Sequence, residues 1–159
     1  TAWLPDDTWV EWTFVGTITN DAAGASDQTY TLATGIGSRA LVWGAEVTNL
    51  DTVARTITIV INDGTSTVIS PYPATSVNAT AVARIPLVGG AAAAAGNNPE
   101  VPGPYPLSGE MQMVATVAAV ALSQDSAFRA LGWFQGNAPT MTQTGGGVVV
   151  LTANMEVHG

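Results

Sequence analysis

The stretch Leu41-Val42-Trp43-Gly44-Ala45-Glu46-Val47-Thr48-Asn49-Leu50-Asp51-Thr52-Val53-Ala54-Arg55-Thr56-Ile57-Thr58-Ile59-Val60-Ile61-Asn62-Asp63-Gly64 decides the fold class. Leu41, Trp43, Ala45 and Val47 alternate with Val42, Gly44, Glu46 and Thr48. Beyond Asn49-Leu50-Asp51-Thr52, Ile57, Ile59 and Ile61 alternate with Thr56, Thr58 and Val60. A period of two is that of a strand with one face buried, and the β-branched residues favour the same conformation. Asn62-Asp63-Gly64 is hairpin chemistry, because Asp and Gly tolerate positive φ. Thr65 to Ser70 then returns. The reading predicts a three-stranded antiparallel meander whose Thr-rich faces meet water or a partner.

The same pattern extends outward in both directions. Val10, Trp12, Phe14, Gly16 and Ile18 alternate with Glu11, Thr13, Val15, Thr17 and Thr19, and Asn20 to Asp27 reads as a loop. Pro71-Tyr72-Pro73 is expected to end the meander, because proline cannot donate to a ladder. Ala81 to Leu87 is a short strand. Gly89 to Pro106, with five consecutive alanines and four prolines, is a long loop. Met111, Met113, Ala115 and Val117 open another strand, and Leu131 and Trp133 share a face in the next. Residues 136–147 are rich in Gly, Thr and Pro, and Val149, Leu151, Ala153, Met155 and Val157 form one face of a last strand. The expectation is an all-β protein of about eight or nine short strands, an antiparallel β-sandwich of jelly-roll type. An N-terminal arm, residues 1–9, precedes a single domain, residues 10–159.

Composition narrows the function. Twelve acidic residues face four arginines and no lysine, for a formal net charge of −8. Displacing counterions from nucleic-acid phosphates needs a basic face that Arg39, Arg55, Arg84 and Arg129 do not supply, so no nucleic acid is expected as a partner. Anionic membranes are disfavoured for the same reason. No apolar run is long enough for a transmembrane helix, and no basic-apolar N-terminal segment reads as a signal peptide. There is no cysteine, hence no disulfide and no thiolate site. Only 10% of residues are charged, against about 25% in an average domain. Two readings stay open: a surface covered by a partner, and a neutral Thr/Ser/Asn surface.

The catalytic inventory points away from an enzyme. The only histidine, His158, is expected in an exposed tail, and no Gly-x-Ser-x-Gly elbow, cysteine nucleophile or Schiff-base lysine exists. Glu46 and Glu110 fall on predicted strands without a context that marks a glycosidase pair. Asp6-Asp7 and Asn62-Asp63 offer oxygen ligands but no calcium-loop spacing, so turn chemistry is the expectation and no metal or cofactor is expected. Gly145-Gly146-Gly147 lacks the Lys-Ser/Thr of a phosphate loop.

Aromatic residues remain as candidates. Trp12, Trp43 and Trp133 lie on predicted strands and are assigned to the core. Trp3 and Trp9, with Leu4, sit in an arm that has no core of its own and are candidate anchors for a partner. Tyr72 and Tyr105, in proline-rich loops, suit stacking on a sugar and carry the reading of another class, a carbohydrate-binding module.

The run Glu46-Val47-Thr48-Asn49-Leu50-Asp51-Thr52-Val53-Ala54-Arg55-Thr56-Ile57-Thr58-Ile59 resembles a pattern of small bacteriophage virion β-sandwich proteins. In that pattern a Val-Thr-Asn strand end leads to an Asp-Thr turn and an Ala-Arg-Thr strand. Asp63-Gly64, Arg84 to Leu87, Pro106-Leu107-Ser108-Gly109-Glu110 and Val114 to Trp133 match its later parts, so the resemblance covers roughly residues 39–134. The long 89–106 loop and the arm depart from it. The resemblance implies a virion protein assembled in the host cytoplasm: a capsid decoration (cement) protein, or a tail or head-fibre component. Its implied partners are the major capsid protein or other virion proteins, and copies of itself in a symmetric oligomer, a trimer being favoured.

Overall fold

The structure is a computed structural model that describes residues 9–21, 24–34, 38–85, 104–145 and 148–158. Eleven strands and no helix are found among these residues: β1 Trp9–Thr19, β2 Ser26–Ala33, β3 Arg39–Leu50, β4 Arg55–Asn62, β5 Thr67–Val77, β6 Val82–Ile85, β7 Tyr105–Ser108, β8 Gln112–Val120, β9 Asp125–Gln135, β10 Thr140–Thr144 and β11 Val148–His158. They form two sheets. Sheet A runs β11-β1-β9-β3-β6, with β7 also on β3; sheet B runs β10-β2-β8-β4-β5. All ladders are antiparallel.

The order is that of a jelly roll. The first four strands pair with later ones in reverse: β1 with β9, β2 with β8, β3 with β6 and β7, β4 with β5. β11 and β10 extend the two sheets beside β1 and β2. The all-β sandwich expected from the alternation is therefore present, with eleven strands where eight or nine were read. The short β7 and β10 and the polar β2 were missed, because each lies in a stretch whose Gly, Pro or Ser content reads as loop.

The core lies between the sheets. Sheet A contributes Trp12, Phe14, Ile18, Val42, Val47 and Phe128; sheet B contributes Tyr30, Leu32, Ile57, Ile59, Ile61 and Met113. Tyr30 stacks on Phe128 at 5.2 Å between ring centroids, the offset geometry that aromatic pairs prefer. Beside it, Ser126 Oγ donates to Gln28 Oε1, and Tyr30 Oη and Ser126 Oγ share a hydrogen bond of 2.8 Å.

Four sequence expectations change. Of the three-stranded meander the β4–β5 hairpin at Asn62-Asp63-Gly64 is present, but β3 belongs to sheet A and β4 to sheet B, so Asn49-Leu50-Asp51-Thr52 is a corner between sheets. Strand β5 runs through Pro71-Tyr72-Pro73 instead of stopping there. It is the edge of sheet B, where a missing N–H is tolerated. The loop expected to Pro106 ends earlier, with Tyr105 and Pro106 in β7. Trp9 pairs with His158 in the β1–β11 ladder, so neither belongs to an irregular arm or tail at the backbone level.

The phase of β3 also changes partway along. Its pairing with β9 is regular to Val42–Gly132, then resumes at Gly44–Leu131, leaving an extra residue at Trp43. Ala40 and Val42 are buried before this bulge, and Ala45 and Val47 after it. Leu41 and Trp43 consequently face outward. Trp43 is 48% exposed, and Trp133 is half-buried on the same outer face; neither is the core residue that strict alternation implies.

Candidate functional site

Two surfaces are built with unusual care. The first is the end of the sandwich where the β1–β2, β3–β4, β5–β6 and β8–β9 connections meet. Here two asparagines at strand ends tie corners together. Asn20 Nδ2 donates to the carbonyls of Gly24 (2.9 Å) and Val120 (2.7 Å). Asn49 Nδ2 donates to those of Val53 (3.0 Å) and Val77 (2.9 Å), and Asn49 Oδ1 accepts the Asp51 N–H. Both side chains are fully buried, and both bridge the carbonyl four residues on to a strand of the opposite sheet. Ile18-Thr19-Asn20 and Val47-Thr48-Asn49 thus build the same corner twice, flanking β9 on either side.

Asp51 locks the second corner to the β8–β9 loop. Its carboxylate takes the Arg55 Nε–H at 2.7 Å, the Ala121 N–H at 3.0 Å and the Thr52 N–H. Burial pushes the carboxyl pKa up. The hydrogen bonds from Ala121, Arg55 and Thr52, with the Arg55 charge, outweigh it and hold the pKa at about 2. On this frame three aliphatic side chains stand in solvent: Leu50 (39% exposed), Val53 (49%) and Leu122 (50%). Buried hydrogen bonds hold these loops, so the aliphatics are presented in a fixed geometry.

The second surface is the outer face of sheet A. Strand register sets three rows across it. Val15, Arg129, Glu46 and Arg84 form one; Thr13, Leu131 and Gly44, beside the bulged Trp43, form the next; Glu11, Trp133, Leu41 and Pro106 form the third. Arg84 Nε reaches Glu46 Oε2 at 3.0 Å and Arg129 Nε reaches Oε1 at 3.5 Å. The guanidinium side chains remain 64% and 57% exposed. A shallow depression of about 210 Å³ lies over Gly44, Glu46, Arg84, Arg129 and Leu131. Another of about 320 Å³ lies over Arg39, Leu41, Pro106 and Ser108. Trp43 stands between them on β3.

The residues singled out from sequence that the structure describes do not form one site. Trp3 and Leu4 lie outside the described residues, and of Trp9 the backbone alone is placed, opening β1. Tyr105 is 1% exposed inside the sandwich, which corrects the reading of it as a sugar platform. Tyr72 is half-buried against the core on the other sheet, opposite Ile59. Burial raises the pKa of both phenols. Glu46 is paired with two arginines, and Glu110 lies in the β7–β8 turn against Gly64, so the two carboxylates do not face each other. Asn62 and Asp63 cap their own turn: Asn62 Oδ1 accepts from Gly64 N–H, and Asp63 Oδ1 from Thr65 and Ser66 N–H. No group of three His, Asp or Glu residues able to hold a metal occurs among the described residues.

Sequence reasoning missed Trp43 as a surface residue and Asp51 as a buried hub. Gly44 was the available signal for the first, since glycine inside a strand pattern marks bulges. Compared with known proteins, the chain matches no family model, no curated protein and no solved structure.

Proposed function

We propose that this chain is a non-catalytic virion protein, a capsid decoration protein that docks on the assembled shell through the locked end of its jelly roll. The observation that carries the reading is the trio Leu50, Val53 and Leu122, exposed on corners immobilised by Asn20, Asn49 and Asp51. Rigid presentation of apolar side chains lowers the ordering cost of association. Each aliphatic that enters a partner pocket contributes on the order of 1–2 kcal/mol. The same corner lies within the run Glu46 to Ile59, the start of the stretch of roughly residues 39–134 that resembles small phage virion proteins. In this reading the subunits form a symmetric oligomer, with a trimer favoured. They bridge neighbouring capsomers and stabilise the closed lattice by binding only the assembled form. A tail or head-fibre subunit would use the same docking chemistry.

The test is light scattering on the purified chain, followed by co-sedimentation with shells stripped of it. A defined oligomer that pellets with shells, and that ceases to pellet as the Val53→Thr, Leu122→Ser double variant, supports the reading. Wild-type protein that ignores shells and tails alike ends it.

A further inference from the structure

Trp43 is held outside the sandwich by a bulge, and bulges that re-aim a side chain concentrate at functional sites. It stands on β3 between the two depressions, over a span from Arg39 to Glu46 of about 23 Å of extended strand. Leu131 (39% exposed) and the half-buried Trp133 extend the apolar area beside it. An indole face is flat, rigid and apolar, with the shape of one face of a pyranose ring. Two small concavities on either side of such a platform suit an extended chain of rings. A folded protein partner would instead bury roughly 800 Å² per side on a surface depleted of charge.

The polar part of the face sets the ligand's charge. Arg84 and Arg129 both meet Glu46 through Nε. Neither arginine makes any other hydrogen bond or ion pair with a described residue, and both line the depression with side chains more than half exposed. Two guanidinium charges against one carboxylate leave this cluster one positive, on a chain whose formal net charge is −8. Guanidinium forks pinned at Nε are pre-organised for bidentate pairing with a carboxylate.

We infer that the outer face of sheet A binds a carboxylate-bearing saccharide, with one ring stacked on Trp43 and the acid group held by Arg84 and Arg129. Glu46 is a positioning residue that fixes both guanidinium groups. The inference stands independently of shell docking, which uses the other surface.

Calorimetric titration of the full chain with oligogalacturonate, 3′-sialyllactose, cellohexaose and sodium acetate tests it. One of the acidic saccharides binds, more weakly as salt rises. Trp43→Ala and Arg129→Gln each weaken it at least about tenfold, without change in melting temperature. The inference is overturned if neither acidic saccharide binds, or if cellohexaose binds as well as they do. It is also overturned if acetate binds as tightly and Trp43→Ala does not matter, which leaves a bare anion site. Loss of shell co-sedimentation in Trp43→Ala, with no saccharide bound by the wild type, assigns the face to a protein instead.

Discussion

The Asp51 carboxylate accepts the Ala121 N–H at 3.0 Å, joining two loops 70 residues apart in the chain. Asp51 is 1% exposed, and its other oxygen serves Thr52 while Arg55 supplies the countercharge. Its pKa lies at about 2 against an ordinary 3.8. A carboxylate depressed in the folded state stabilises above its unfolded value and loses that contribution as pH falls through the folded one. The wild type should therefore lose about 2 kcal/mol between pH 4 and roughly pH 2 from this group. Urea midpoints across that range check it. Asp51→Asn should flatten this step and cost about 2–4 kcal/mol at pH 7.

A Cβ at Gly132 would lie 1.9 Å from the Leu41 carbonyl oxygen and 2.7 Å from Trp12 Cζ2. Neither neighbour can yield: one is ladder backbone beside the bulge, the other a fully buried indole. Gly132→Ala should cost at least about 3 kcal/mol and lower the melting temperature, or abolish folding. By contrast, no heavy atom of a described residue beyond its chain neighbours lies within 4 Å of a Cβ built at Gly24, so Gly24→Ala should change stability by less than about 1 kcal/mol.

Ser126 sits at 0% exposure between Gln28 and Tyr30. Gln28 Nε2 has no partner among the described residues, so this small network is already incompletely satisfied. Ser126→Ala strips a donor from Gln28 Oε1 and the hydroxyl partner from Tyr30 at once, at an expected cost of about 2–3 kcal/mol. Tyr30→Phe should cost less, about 1 kcal/mol, because Ser126 keeps its bond to Gln28 and the Phe128 stacking remains. A double-mutant cycle by urea denaturation reads the coupling between the two.

The sandwich was legible because its long strands alternate cleanly. Trp12, Phe14 and Ile18, and Ile57, Ile59 and Ile61, were placed on the buried faces they occupy. What periodicity cannot encode is a change of phase or of sheet. One inserted residue at Trp43 sends Leu41 and Trp43 outward while Ala45 and Val47 stay inside. Likewise Asn49-Leu50-Asp51-Thr52 reads as a tight turn, because corner and hairpin use the same residue types. The partners that distinguish them, Val77 and Ala121, are far along the chain. Arg84 and Arg129 converge on Glu46 only through strand order, which no local pattern announces.

Tyr105 and Tyr72 separate a core residue from a ligand platform. Tyr105 fills space inside the sandwich at 1% exposure, so Tyr105→Ala should cost about 3–5 kcal/mol, the range for removing a buried aromatic. Tyr72 is half-buried on the edge strand of sheet B, and Tyr72→Ala should cost about half as much. Neither ring lies on the outer face of sheet A. Tyr72→Ala should thus leave the affinity for an acidic saccharide within a factor of about two, where Trp43→Ala weakens it at least about tenfold. Thermal melts read the stability order and titration reads the affinities. If Tyr72→Ala removes binding while Trp43→Ala spares it, the platform belongs to sheet B and the assignment of the face is reversed.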